Sequence, residues 1–394
     1  MPGMMGDGIS AEGSGTSRAT GAGGAMPGVH LNTGGWMVML HGYLWGVYSD
    51  QGGPRGDTEA VVESHLMATA SHDLGRGADL QLRTAFSAEP LMGARGYPLL
   101  FQTGETANGI TPLIDRQHPH NLFVELAARV NVDLTADHAT KAFLYGGVAG
   151  EPALGPVTYI HRASASLNPE TPMTHHWFDS THISYGVVTG GVQAPHWQLE
   201  TSAFHGREPD QHRYNIELGA LDSWSVRATW MPNCHWNAQI STGHLTSPEL
   251  LEPAANQQRT TASVSYANGQ GLNLTGGVAL RHMLPGGGQA GRTSTAFLFE
   301  GQWDFDRHES LFGRIESVDN DELFNTMPTD PRYGLPFRVT KYALGYAYRL
   351  HLAGPLNLAL GGTADVYTKP AALDSAYGKF PVSGTVFAKL SLGH

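Results

Sequence analysis

The sequence is poor in cysteine, in charged residues and in long apolar runs. Its one cysteine, Cys234, cannot form an internal disulfide and excludes a zinc site built from several cysteines. Charged residues make up 15% of the chain, well below the roughly 25% of an average soluble domain. No apolar run approaches the ~18 residues that a membrane-spanning helix requires. The net charge of −11 also lacks the basic surplus expected of a nucleic-acid-binding protein.

Glycine is what the sequence has in abundance, with 50 glycines in 394 residues. A chain with little charge, much glycine and no apolar helix is typical of a transmembrane β-barrel, whose lipid-facing residues are spread over alternate positions. The first residues show no secretory leader, so under this hypothesis we expect the sequence to be the processed form of the protein.

Period-two alternation recurs from Trp36 to the C-terminus. In one segment Trp224 and Val226 alternate with Ser225 and Arg227, as a wall with one apolar face requires. The pattern predicts strands at 36–48, 60–74, 79–90, 119–134, 139–150, 181–193, 196–206, 221–231, 235–246, 258–268, 271–283, 292–304, 308–318, 337–350, 355–368 and 381–392.

The connections between these strands alternate in length. Short turns such as 75–77 and 353–355 alternate with long ones such as 91–118 and 151–180. We therefore predict an all-β fold over residues 35–394: a transmembrane antiparallel up-and-down β-barrel of about 16 strands, with short periplasmic turns and long extracellular loops. Residues 1–34, rich in glycine and methionine, predict a flexible N-terminal tail.

The same alternation assigns charged side chains to the inner face of the barrel. Two roles are open for them: a ring that selects solutes, or a network that fills and rigidifies the interior. The predicted lumen-lining residues are Arg83, Glu125, Arg129, Arg227, Arg281, Glu300, Arg314 and Glu316. Aromatic residues collect near strand ends, where interfacial girdles lie: Trp36, Trp45, Tyr48, Trp177, Trp197, Trp236, Trp303, Tyr333 and Phe337.

The stretch from Ile114 to His182 concentrates imidazoles and carboxylates. By the strand order, residues 115–120 and 161–182 meet at the outer end of the barrel. Such ligands suit a borderline divalent ion, copper or zinc, although no spacing matches a known zinc signature. The alternative is a plug in which these groups satisfy buried loop backbone. The candidate metal ligands are His118, His120, His161, His175, His176, Asp179 and His182.

Four strings in this region, IDRQHPHN, EPALGP, HHWFDSTHIS and GREPDQ, resemble those of a family of largely uncharacterised proteobacterial outer-membrane proteins. The resemblance covers roughly residues 36–394 and is strongest over 111–215. It implies an outer-membrane β-barrel and a loose association with copper and heavy-metal handling. The family pattern has Asp after HPH where this chain has Asn121, which removes one candidate carboxylate ligand.

These observations favour a porin-like channel in the outer membrane of a Gram-negative bacterium. Its loop 151–180 would narrow the lumen, its cargo would be a small solute or metal ion, and a homo-oligomer is expected by analogy with sixteen-stranded porins. Two other classes stay open. A hydrolase would use Ser180 beside Asp179 and His182, although no GxSxG elbow is present. A scaffold barrel would hold a periplasmic partner through its tail.

Overall fold

The computed structural model describes residues 8–24, 26–285 and 291–393. Its strands are β1 (Ser10–Glu12), β2 (Arg18–Thr20), β3 (Val29–Thr33), β4 (Trp36–Gln51), β5 (Thr58–Gly75), β6 (Ala78–Phe86), β7 (Tyr97–Thr106), β8 (Pro112–Gln117), β9 (Phe123–Asp133), β10 (Lys141–Gly150), β11 (Ser184–Ala194), β12 (Trp197–Phe204), β13 (Ser223–Asn233), β14 (Trp236–Leu245), β15 (Gln257–Ala267), β16 (Leu272–Met283), β17 (Arg292–Asp304), β18 (Glu309–Asn320), β19 (Phe337–Ala353), β20 (Leu356–Thr368) and β21 (Val382–Leu392).

The helical segments are short. They are the one-turn helices α1 (His175–Phe178) and α2 (Asp374–Tyr377) and the 3₁₀ turns Gly21–Gly23, Glu89–Met92, Tyr159–His161, Ala163–Ala165, Ser180–His182 and Ala371–Leu373. Among the residues that the structure describes, none of the helices has the length and apolar character needed to cross a membrane.

Sixteen strands form one closed antiparallel barrel, made of β4 to β6 and β9 to β21. The barrel closes where Ser383–Ser391 of β21 pairs with Tyr43–Gln51 of β4, and β3 extends this seam by pairing with Trp36–Leu40. Each predicted segment overlaps one barrel strand, so the predicted all-β barrel of about sixteen strands is confirmed. Closure leaves no open edge, as a sheet in a bilayer requires.

Side chains of the wall alternate between its two faces. Along β13, Trp224, Val226 and Trp230 are exposed, whereas Ser225 and Arg227 are buried. Exposed apolar side chains recur on the other barrel strands, so the outer face offers lipid an apolar belt. That belt includes Leu66, Leu82, Leu144, Leu199, Ile240, Val264, Phe299, Ile315, Leu344, Leu360 and Val386.

Aromatic side chains mark the end of the barrel that carries the short turns. Trp197, Trp230, Trp236 and Trp303 are exposed there, which fits an interfacial girdle. Three predicted girdle residues are buried instead, namely Trp45, Trp177 and Phe337. Trp45 is buried because it has the inward parity on β4, and Trp177 is buried because it belongs to a loop inside the barrel.

Three segments fill the interior. The hairpin of β7 and β8 and the connection 151–183, named the long loop below, enter from the end that carries the long loops. The hairpin of β1 and β2, named the N-terminal hairpin, enters from the opposite end. There the amide of Ala22 donates to the carbonyl of Cys234, in the β13–β14 turn, at 2.8 Å.

The N-terminal hairpin differs from the flexible tail that we expected over residues 1–34. Ser14 and Thr16 are buried, the hydroxyl of Thr16 donates to Glu200, and the carbonyl of Gly13 accepts from Arg83 at 3.3 Å. A segment of low complexity cannot build a core of its own, but here the barrel wall supplies the partners. Residues 1–7 and 25 lie outside the described residues.

Candidate functional site: histidine clusters in a filled lumen

Arg162 anchors the long loop to the barrel wall. Its Nε donates to Glu300 of β17 at 2.7 Å, and its Nη1 donates to Asp179 of the loop at 2.8 Å. Glu300 also accepts from Nε of Arg314 at 2.9 Å, and Nη1 of Arg314 donates to the loop carbonyl of Glu170 at 2.7 Å. All five residues are buried, where charges are screened far less than at the surface.

Other contacts hold both ends of the long loop. The amide of Gly155 donates to Ser241 at 2.9 Å, and its carbonyl accepts from Arg227 at 3.0 Å. Gly155 has φ of 88°, and a Cβ there would lie 2.0 Å from a backbone oxygen of the same loop, so this position requires glycine. Near the other end, Nε1 of Trp177 donates to Ser294 at 2.9 Å.

The eight residues predicted to line the lumen all lie on the inner face and are buried. Arg83 pairs with Glu125 at 3.1 Å, and Arg281 pairs with Asp321 at 2.9 Å. Their contacts are to one another, to other wall residues such as Gln193, and to loop and filling segments. This arrangement matches the network interpretation, whereas their role in selecting solutes stays a prediction. The eight are Arg83, Glu125, Arg129, Arg227, Arg281, Glu300, Arg314 and Glu316.

Five histidines meet where the segment after β8 packs against the long loop. The outer histidine cluster, as we name it, consists of His118, His120, His175, His176 and His182. Ring centroids are 5.8 Å apart for His118 and His176, 5.4 Å for His176 and His175, and 5.1 Å for both His175–His182 and His182–His120. His175 and His176 both join this cluster because they lie on helix α1 and not in an extended segment.

Asp179 organises one side of this cluster. Its Oδ1 accepts from Nδ1 of His175 at 2.7 Å, and its carbonyl oxygen accepts from Nδ1 of His182 at 2.8 Å. Within the described residues, Nε2 of His182 and Nε2 of His176 are buried without a hydrogen-bond partner. Nε2 of His118 is a third buried ring nitrogen without a hydrogen-bond partner, although it lies 3.2 Å from Oε1 of Glu105.

Glu89 and Glu105, two carboxylates that the sequence reasoning missed, flank the other side of the cluster. Nδ1 of His120 lies 2.8 Å from Glu89, and Nε2 of His118 lies 3.2 Å from Glu105. Burial raises the pKa of Glu105 to about 7, although its ion pair with Arg213 opposes this shift. Both acids precede the IDRQHPHN string on the same connection, so their proximity in sequence was the signal available.

Burial controls the charge of most of these imidazoles. It lowers the pKa of His118 and His182 well below the ordinary value and lowers that of His176 to about 3. His120 is the exception: burial alone would lower its pKa, but the carboxylate of Glu89 outweighs burial and raises it. His118, His176 and His182 are therefore neutral near pH 7, so each keeps a lone pair on one ring nitrogen.

His161 is the predicted ligand that the structure places elsewhere. Its ring centroid lies 4.9 Å from that of His65 on β5 and 6.0 Å from that of His41 on β4, and the latter two are 6.1 Å apart. These three form the inner histidine cluster. The sequence reasoning missed His41 and His65, although their inward parity on two paired strands was visible.

The outer histidine cluster is packed as neighbouring rings, with planes that meet at 64–79°, the edge-to-face arrangement of aromatic groups. Across residues 8–24, 26–285 and 291–393, no group of three or more His, Cys, Asp or Glu side chains is arranged to hold a metal ion. The assignment of the cluster as a copper or zinc site stays a prediction.

Ser180 has partners that differ from those of a catalytic serine. Its hydroxyl donates to Glu208 at 2.7 Å and accepts from Nη1 of Arg259 at 2.6 Å. Nδ1 of His182 donates to the backbone carbonyl oxygen of Asp179. This contact does not orient the ring of His182 toward the hydroxyl of Ser180. A nucleophilic serine needs its proton within reach of a histidine, so this geometry does not favour the hydrolase hypothesis.

Glu151 joins the long loop to the N-terminal hairpin and gives a pH-dependent prediction. Its Oε1 accepts from Ser14 at 2.9 Å, and burial raises its pKa from 4.5 to about 8 despite the opposing charge of Arg227. A raised folded-state pKa contributes stability that is full below pH 4.5 and is lost as pH rises through about 8. Through Glu151 alone, the free energy of unfolding of the wild-type protein is expected to fall by on the order of 2–4 kcal/mol between pH 4.5 and pH 8.

The Glu151→Gln variant is expected to lack this fall of the unfolding free energy with rising pH. It should therefore be more stable than wild type at pH 8. Urea unfolding in detergent at pH 5 and pH 8 measures it, with Glu309→Gln, at an exposed position, as the matched control. Equal slopes for wild type and Glu151→Gln would contradict the prediction.

The part of the lumen left unfilled is a cavity of about 640 Å³. At one end it is lined by residues near the short turns, including His308, and by Gly393 after the last strand, and at the other it reaches Tyr159 and His120. His120 belongs to the outer histidine cluster, and Nε2 of its ring lies 3.2 Å from the hydroxyl of Tyr159. The cavity therefore borders the outer histidine cluster at His120.

No protein-family model and no curated protein matches the chain. Among solved structures, the chain is similar to an anion-selective porin from Comamonas acidovorans, with 11% identity, 91% of this chain and 100% of that chain covered, and a TM-score of 0.58. It is also similar to OmpF of Salmonella typhi in complex with daunomycin (8% identity, 92% and 100% covered, TM-score 0.55). A third is the outer-membrane channel DcaP of Acinetobacter baumannii (10% identity, 93% and 100% covered, TM-score 0.53).

These likenesses define the fold, which is that of the outer-membrane porins. The closed sixteen-strand barrel with its outward apolar belt has the architecture of proteins of the outer membrane of Gram-negative bacteria. The predicted localisation is thereby confirmed.

Proposed function

We propose that the protein is a porin-like channel for small polar solutes, with the long loop as its constriction. One observation carries this proposal: a cavity of about 640 Å³ extends from residues near the short turns to His120 of the outer histidine cluster. Beyond it the long loop fills the lumen and is tied to the wall by ion pairs such as Arg162 with Glu300. A loop held this way can move without opening the barrel.

Transition-metal handling is the finer part of the proposal. Imidazole and carboxylate ligands suit copper and zinc, and the outer histidine cluster offers the unpartnered Nε2 atoms of His176 and His182 beside Asp179. The resemblance to outer-membrane proteins associated with copper and heavy metals supports the same assignment. A homo-oligomer in the outer membrane completes the proposal, by analogy with the fold.

Two measurements on detergent-folded protein test this function. Liposomes that contain the protein are expected to swell in small sugars or amino acids, and this supports a channel; an absence of swelling and of conductance would contradict it. The purified protein is expected to bind copper or zinc in a stoichiometric amount, and replacing His118, His120, His175 and His176 by Ala is expected to abolish this binding. Metal binding that is unchanged in that variant would contradict a site in the outer histidine cluster.

A further inference from the structure

Two charged residues of opposite sign stand without a counter-charge on the part of the barrel wall that lines the cavity. Lys389 of β21 and Glu63 of β5 both line it. Within the described residues neither side chain forms an ion pair, and Oε1 of Glu63 is buried without a hydrogen-bond partner. A charge withdrawn from water without a counter-charge is unfavourable. A ligand that supplies both counter-charges would remove both penalties.

Trp45 of β4 stands between these two residues. It pairs with Lys389 on one side and with Glu63 on the other, and directly paired residues of antiparallel strands share one face of the sheet. Neighbouring strands lie about 4.8 Å apart, so the backbones of Lys389 and Glu63 are about 10 Å apart. The two charges do not meet because this distance and the side chain of Trp45 separate them.

The ammonium group of Lys389 is held in place and still has donors for a ligand. Its Nζ donates to the carbonyl oxygen of Ser166 in the long loop at 2.6 Å. The same atom lies 4.7 Å from the ring centroid of Trp45 and 4.9 Å from that of Tyr43, a position that favours a cation. An ammonium group has three donors, so two stay available for a carboxylate.

The separation of the two charged residues fits a free amino acid. In an α-amino acid the ammonium nitrogen and a carboxylate oxygen are about 3 Å apart. With a charge-assisted hydrogen bond of about 2.8 Å at each end, such a molecule bridges about 9 Å, close to the separation of the two backbones. An apolar side chain of the ligand would lie against the rings of Trp45 and Tyr43, which also line the cavity.

We propose that the cavity binds a zwitterionic solute, an α-amino acid with an apolar side chain. Its carboxylate accepts from Lys389, and its ammonium group donates to Glu63. This inference rests on the proposed channel and names the class of solute that the channel takes. A solute with a single charge leaves either Lys389 or Glu63 without a counter-charge, so it binds more weakly.

Calorimetric titration of the purified full chain in a non-ionic detergent tests this site with three matched ligands. L-phenylalanine carries both charges, N-acetyl-L-phenylalanine only the carboxylate, and L-phenylalaninamide only the ammonium group. The wild-type chain is expected to bind L-phenylalanine at least about tenfold more tightly than either derivative, because each derivative loses one hydrogen bond between charged groups. Glu63→Gln is expected to bind L-phenylalanine no more tightly than the N-acetyl derivative, and Lys389→Met no more tightly than the amide.

Lys141→Met is the matched control, because Lys141 is a wall lysine outside the cavity that pairs with Asp79 at 3.1 Å. It is expected to bind the three ligands as wild type does. Wild-type binding of either derivative as tightly as L-phenylalanine would indicate a site for anions or for cations and would refute the inference. Binding of none of the three would also refute it, while liposome swelling in sugars would still test the channel. Heat-modifiable migration on gels shows that each variant has folded.

Discussion

Replacing residues 156–178 of the long loop by a short glycine–serine linker is expected to raise single-channel conductance about tenfold or more. A barrel of 16 strands encloses an aqueous channel when nothing fills it, and here the long loop occupies that space. The wall itself should persist, because its strands pair with one another along their whole length. Planar bilayer recordings of wild-type and variant protein measure the change.

A matched control for that experiment replaces the exposed residues 218–221, which lie in another extracellular loop. Its conductance is expected to equal that of wild type. Deleting residues 1–24, which include the N-terminal hairpin, is expected to give a smaller rise, because the long loop still blocks the passage. Equal conductance of the wild type and the variant with the shortened long loop would show that this loop is not the constriction.

Replacing Arg162 by Ala is expected to cost about 3–5 kcal/mol, the typical penalty for breaking a buried ion pair by removing one partner. Arg162 neutralises two carboxylates at once, Asp179 at 2.8 Å and Glu300 at 2.7 Å, and all three side chains are buried. The variant leaves Asp179 with only its His175 partner and removes one of the contacts between the long loop and β17, so the long loop should loosen at this point. Hydrogen exchange of the loop amides and urea unfolding in detergent both measure the loss.

Arg338→Ala is the matched control for this substitution. Arg338 pairs with Asp319 at 2.7 Å, but its side chain is 40% exposed, and such surface pairs are typically worth about 0–1 kcal/mol. We also expect the Arg162→Ala variant to conduct more than wild type, because a loosened loop fills the lumen less completely. If Arg162→Ala is no more destabilising than Arg338→Ala, the buried pair does not anchor the loop.

Much of the site was visible in the sequence. The strand order predicted that residues near 118 and residues near 180 would meet, and the structure does bring His118 and His120 to His175, His176 and His182. The sequence did not predict the position of His161, because the middle of a long loop can lie in any part of the lumen. His41 and His65 were not predicted to meet His161, because the path of the loop past the paired strands β4 and β5 is a tertiary feature.

The sequence by itself determined the wall of the barrel. Its period-two alternation assigns each side chain to lipid or lumen, and the alternation of short and long connections determines how the strands follow one another. These signals are local, so they can be interpreted without knowledge of distant contacts. The correct number of strands follows from them.

Only the tertiary structure decided what fills the lumen. A polar, glycine-rich segment has the same local pattern whether it hangs in water or packs against a polar inner wall, because both surroundings satisfy its backbone. The difference lies in partners more than a hundred residues away, such as Glu300 for Arg162 and Glu200 for Thr16. The plugged interior and the separation of the histidines into two clusters therefore appear only when the barrel has closed around them.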